Sequence, residues 1–280
     1  MTINNENQPQ NNSTNGKINN IINIAAQILK EVLQSNNITY LELIEVPIGL
    51  EGMEILGKVL EHNKLITTIH LCNNDIDLDG LSLLITLLEK NHSLINIDIE
   101  YNNIGVQGLM ILDEFLENDK TIEQISLRGN NIGDEGADIL TALLTNNNII
   151  KQVGLCCNNI TDKGAIIVAR FLKNNNTIKK ISLNNNDIGD VGIVQLVKAL
   201  ETNRTISQID LSYNNITDKG AITLVELLES NNKITSKIII EFTDYDNENI
   251  SYQIEELLIE TLESHNKKQG YNLKNIHLTL

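Results

Sequence analysis

The side chains that could do chemistry in this sequence are five histidines and three cysteines, and their spacing decides whether they do. His62, His70, His92, His265 and His277 are scattered, and no two share a helix face at the spacing of a metal ligand pair. Cys72 and Cys156 lie three periods of a 28-residue repeat apart. On neighbouring strands that separates them by roughly 14 Å, beyond the reach of a disulfide. Cys156 and Cys157 are adjacent and are expected to point to opposite faces, with no histidine in register to lower a thiol pKa. Three thiols outside any disulfide suit a reducing compartment. The glycines recur singly and build no phosphate-cradling cluster. The expectation is a chain with no catalytic residues, no metal and no cofactor.

What does recur is a frame. Asn74, Asn102, Asn130, Asn158, Asn186 and Asn214 are 28 residues apart without a slip, each closing a phrase such as Ile125-Ser-Leu127-Arg-Gly-Asn130. Six residues after each Asn stands a glycine, from Gly80 to Gly220, and Gly52 keeps that phase one unit earlier, where Val46 replaces the Asn. A fixed period of this length means stacked structural units.

Residues 207–234 show how a unit builds itself. Ile209 and Leu211 alternate with polar residues, as a short strand with one buried face requires. Asn214 ends the strand in a buried arc, where an amide that both donates and accepts can satisfy stranded backbone groups and form a ladder down the stack. Thr217 is placed as a helix N-cap with Asp218 beside the positive helix end. Gly220 allows helix and arc to approach closely. Ile222, Leu224, Val225, Leu227 and Leu228 form the apolar helix stripe, and Ser230-Asn231-Asn232 breaks it. Such a unit cannot offset its own ordering entropy and must stack. Strands pack ~5 Å apart and helices about 8–10 Å apart, so the array is expected to curve.

The phrase Leu-x-Leu-x-x-Asn-x-Ile followed by x-x-x-Gly-Ala-x-x-Leu resembles the ribonuclease-inhibitor type of leucine-rich repeat, from about Ile38 to Ile234. The resemblance implies an α/β fold: a right-handed solenoid or horseshoe, with a parallel sheet on the concave face and helices on the convex face. It also implies a general role in protein binding. The same subtype occurs in the GTPase-activating protein for Ran, so regulation of a small GTPase is the alternative. Arg128 is common at its strand position, and the long acidic tail usual in those activators is absent, which argues against an arginine finger.

The expected organisation is a disordered Asn-rich segment at 1–17, an amphipathic capping helix at 18–37, regular repeats at 38–234 and irregular repeats or a cap at 235–280. In the last part a helix is expected from about Asn249 to Ser264, with Ile250, Ile254, Leu257, Leu258 and Leu262 inward. A closing strand phrase follows at Leu273, Ile276 and Leu278. A net charge of −16 argues against nucleic acid. No basic-then-apolar leader and no run of 18 apolar residues is present, so a soluble, cytoplasmic, monomeric protein without membrane contact is expected.

The residues flanking the buried pair of each strand are left for a partner. Tyr40, Glu42, His70, Asp98, Glu100, Tyr101, Arg128, Asp210 and Tyr213 are the candidate contacts, because interface hot spots favour Tyr and Arg. Their mixed, mostly acidic character suits a protein partner with a basic or mixed-charge surface. Function, on this reading, lies in the positions that do not repeat.

Overall fold

The computed structural model describes residues 2–4, 37–46, 48–230, 234–240 and 250–270. They fall into two compact units that meet in sequence at Asn131 and Ile132, within the stretch 38–234 expected as one regular array. The N-terminal unit contains β1 (Thr2–Asn4), β2 (Tyr40–Ile44), α1 (Gly49–His62), β3 (Thr68–His70), α2 (Leu78–Leu88), β4 (Asn96–Asp98), α3 (Gly105–Asn118) and β5 (Gln124–Ser126). The C-terminal unit contains α4 (Gly133–Asn146), β6 (Gln152–Gly154), α5 (Asp162–Asn174), β7 (Lys180–Ser182), α6 (Asp190–Ala199), β8 (Gln208–Asp210), α7 (Asp218–Ser230), β9 (Lys237–Ile239) and α8 (Tyr252–Lys268). In each unit consecutive strands pair in parallel, so each is a solenoid of strand–arc–helix repeats. β1 occupies part of the segment expected to be disordered, and it pairs Thr2 with Glu42. The capping helix expected over 18–37 and the closing strand around Leu273–Leu278 lie outside the described residues, apart from residue 37.

Register follows from the alternation. Leu41 pairs with Ile69, Ile69 with Ile97 and Ile97 with Ile125, each central residue being buried under the helix layer while its neighbours stay half-exposed. The last pairing, Ile209 with Ile238, is offset by 29 residues, which is where the 28-residue rhythm fails.

The arc asparagines are buried as expected, but their ladder runs through backbone rather than amide to amide. The Asn102 carbonyl oxygen accepts from the N–H groups of Asn74 (3.0 Å) and Ile76 (3.1 Å). Its amide donates to the carbonyls of Leu71, Ile99 and Glu100. Asn186 repeats the pattern in the C-terminal unit with Asn158, Ile160, Leu155 and Leu183. One side chain therefore satisfies the backbone of two repeats.

Two further side-chain ladders share the period. Where each helix returns to a strand, Asn63, Asn91, Asp119, Asn147, Asn175 and Asn203 each accept from the N–H groups two and three residues ahead. Asn91 and Asn203 also donate back into the preceding repeat, to Leu60 and Leu172. At helix starts in the C-terminal unit, Asp134, Asp162 and Asp190 bond to the start of the next repeat's helix. Asp134 accepts from the N–H groups of Thr161 and Gly164, and Asp190 from the N–H and hydroxyl of Thr217. Gly164 and Gly220 are glycine for this reason, since a Cβ at either would strike the preceding repeat's carboxylate. Thr217 also caps its own helix, accepting from Lys219 at 3.3 Å. Burial works to raise the Asp134 pKa, yet the three donors from Thr161 and Gly164 hold the carboxyl below its ordinary value.

α8 starts and ends later than the sequence suggested, and Leu257, expected inward, is 40% exposed while Leu258 and Leu262 are buried. Its end meets the outer edge of β9. Asn266 accepts from the N–H of Ile238 (3.0 Å) and donates to the Ile238 carbonyl (2.8 Å), standing where the next strand would pair. His265 is buried beside it, 3.1 Å from the Ser236 carbonyl, and burial pushes its imidazole pKa down although the carbonyl works the other way.

Replacing Asn102 with Ala leaves two buried N–H groups and three carbonyls short of a partner. Asn102→Ala should cost about 3–5 kcal/mol in urea unfolding, whereas Asn118→Ala, at an exposed site, should stay within about 0.5 kcal/mol.

Candidate functional site

The residue before each arc asparagine, and Glu45 before Val46 in the same position, is held in the left-handed region: Glu45, Asn73, Tyr101, Gly129, Cys157, Asn185 and Tyr213 all have φ between 54° and 66°. The strand ladder extends to this residue before the chain turns, as the Tyr101 N–H donates to the Arg128 carbonyl at 2.8 Å. Cys157 thus sits at a position set by backbone conformation rather than by side-chain size. A left-handed tyrosine is uncommon, and at 101 it has a visible consequence. The ring lies over Gly129, where any Cβ would collide with it, and the Arg128 guanidinium stands 5.3 Å from its centroid. Gly129 makes room for Tyr101, and Arg128 covers it.

On the sheet face away from the helices, β2 to β5 assemble a continuous polar row. Tyr40 donates its hydroxyl to Glu42 (3.0 Å) and lies 3.1 Å from Nδ1 of His70, with the rings tilted at 58°. His70 Nδ1 is 3.5 Å from Asp98 and 4.0 Å from Glu42. Asp98 accepts from the Glu100 N–H at 3.0 Å, and Glu100 accepts from the Ser126 hydroxyl at 2.6 Å. Seven candidates, Tyr40, Glu42, His70, Asp98, Glu100, Tyr101 and Arg128, therefore fall in one unit. Asp210 and Tyr213 belong to the other unit, where Asp210 accepts from the Ser212 N–H at 3.1 Å, the turn that Asp98 makes with Glu100. Ser126 was not among the candidates, although its position beside Ile125 gave it the right register.

The electrostatics follow from crowding carboxylates on a half-buried surface. Burial, reinforced by the charge on Glu100, pushes the Asp98 carboxyl up to about 6, against the Glu100 N–H, His70 and Arg128, which favour its ionised form. Burial and the Glu42 carboxylate push the Tyr40 hydroxyl up to about 12, keeping it a donor. Burial, with Glu100 and Asp98, also raises the Cys72 thiol, which disfavours the thiolate a nucleophile needs. Among the described residues no group of three or more His, Cys, Asp and Glu could hold a metal ion. Nor is any helix among them long and apolar enough to cross a membrane.

The family described as Leucine Rich repeat matches residues 118–138, 174–197 and 202–225. These are leucine-rich repeats. No curated protein matches the sequence. Among solved structures, the chain is similar to leiomodin-1 actin-binding site 2, with 22% identity over 56% of this chain and 89% of that one and a TM-score of 0.45. It is also similar to the tropomodulin C-terminal domain of Caenorhabditis elegans, with 14% identity over 67% and 94% and a TM-score of 0.37. Neither likeness assigns a partner.

Because folded Asp98 holds its proton up to about pH 6 while an unfolded Asp releases it near about 3.9, the folded state binds more protons in between, and stability falls as pH rises through that window. Asp98→Asn keeps the acceptor for the Glu100 N–H. The variant should match wild type near pH 4 and exceed it by about 2 kcal/mol at pH 7; equal stabilities at pH 7 would contradict the assignment.

Proposed function

We propose that the chain is a non-enzymatic protein-interaction module, and that the open sheet face of its N-terminal unit is the docking surface. The single observation that carries this is the row from Tyr40 to Arg128. It spends aromatic, charged and histidine side chains on a face that stacking does not need, and holds them in place before any partner arrives. Pre-positioned Tyr and Arg are the side chains that dominate binding energy. Three carboxylates against one guanidinium favour a partner with a basic or mixed-charge surface.

The 28-residue period and the arc asparagine support the ribonuclease-inhibitor-like subtype, in which this face would be concave. An adaptor, a sensor fragment or an effector in the cytoplasm would use such a surface. Asp210 and Tyr213 are proposed as additional contacts on the corresponding positions of the C-terminal unit.

Affinity purification of the full chain should recover a partner that Tyr101→Ala/Arg128→Ala loses and Asn118→Ala keeps. Recovery of the same proteins by all three would overturn the assignment to this face. Stimulated GTP hydrolysis by a small GTPase, abolished by Arg128→Ala, would replace it with the regulator alternative.

A further inference from the structure

The charge of the chain is unevenly spread. Residues 162–204 carry seven Lys and Arg against four Asp and Glu, a net +3 within a chain of net −16. Two of the four carboxylates, Asp162 and Asp190, are already engaged by backbone N–H groups at helix starts. Three of the seven cations line the groove between α5 and α6, a cavity of about 590 Å³. Arg170, Lys173 and Lys198 stand on its rim, exposed, and make no ion pair among the described residues. Glu201 is the one carboxylate beside them. The floor is apolar: Ala169 and Ala199 are buried, Ile166 is half-buried, and Val191 is 56% exposed although it begins a helix whose other aliphatic residues are covered.

We infer that this groove is a second docking site, and that its occupant is an acidic amphipathic helix of a protein partner. A row of cations beside an apolar strip asks for carboxylates beside aliphatic side chains, arranged on one face of one element. Two adjacent helices leave between them a groove that a third helix can enter at the usual packing distance of about 8–10 Å. The cations supply the attraction: in an otherwise acidic protein an acidic segment is repelled elsewhere and steered here. A nucleic acid would use the lysines but has nothing to set against Ile166 and Val191. The site lies on the helix layer of the C-terminal unit, so it does not depend on the sheet face of the N-terminal unit.

The test uses the full chain and a synthetic fluorescent helical peptide with leucines along one face and glutamates flanking them. Phosphatidylserine vesicles and a single-stranded DNA oligonucleotide are the competing probes. The peptide is expected to bind, to weaken at least about tenfold between low and high salt, and to weaken similarly with Arg170→Gln/Lys173→Gln/Lys198→Gln. These exposed substitutions should leave the thermal unfolding curve in place. Val191→Ser, which changes no charge, should also weaken binding, while Tyr101→Ala/Arg128→Ala should bind as wild type does. Peptide binding that ignores both groove variants would overturn the inference. So would binding of the vesicles or the oligonucleotide through the three cations when the peptide does not bind.

Discussion

Everything regular in this molecule rests on one constraint: a chain that leaves a strand by a buried arc must satisfy backbone N–H and C=O groups that have lost their ladder partners. The arc asparagine meets it with a single side chain, accepting from N–H groups of the preceding repeat and donating to carbonyls on both sides. Because its partners belong to two repeats, the asparagine joins them and sets their register at once. Aspartate could not do this, since an ionised carboxylate accepts only. The helix-return residues solve the same problem where helices end, and the inter-repeat Asp caps solve it at helix starts of the C-terminal unit.

With the backbone satisfied from within, the open face of the sheet is released from structural duty. That release is what lets Tyr40, His70, Asp98 and Glu100 crowd together at a cost in carboxylate ionisation, which appears as the raised proton affinity of Asp98. Tyr101 adds backbone strain to the same surface, because its left-handed conformation is required by the turn whichever residue stands there. The helix layer carries a different surplus, the exposed cations Arg170, Lys173 and Lys198 on α5 and α6. A repeat array thus separates its surfaces by chemistry as well as by position.

The strands, the arc and the helix stripe were legible because apolar period and residue spacing encode them directly, from Leu41–Leu43 to Ile209–Leu211. So was the membership of the polar row, since alternation alone assigns Tyr40, Glu42, His70 and Asp98 to one face. The helix-return ladder was not legible. In a chain this rich in asparagine, the 28-residue recurrence of Asn63, Asn91 and Asn147 is hidden among neighbours of the same type. The reach of Asp134 to Gly164 was invisible for another reason, since nothing local says that a carboxylate beside its own helix start will cap the next one. Leu257 shows the limit of periodicity: the helical pattern marks it inward, yet it is 40% exposed.

By itself, then, the amino-acid order determined the repeat unit, its period and which side chains face away from the core, because these depend on contacts within a few residues and on a pattern repeated many times. Only the tertiary structure decided which of those outward residues touch, what their proximity does to their charges, and how Asn266 bonds to the edge of β9. The physical reason is distance. Hydrogen bonds and Coulomb interactions between repeats act over a few ångströms across separations of about one repeat period in sequence, so they exist only once stacking has brought the repeats together.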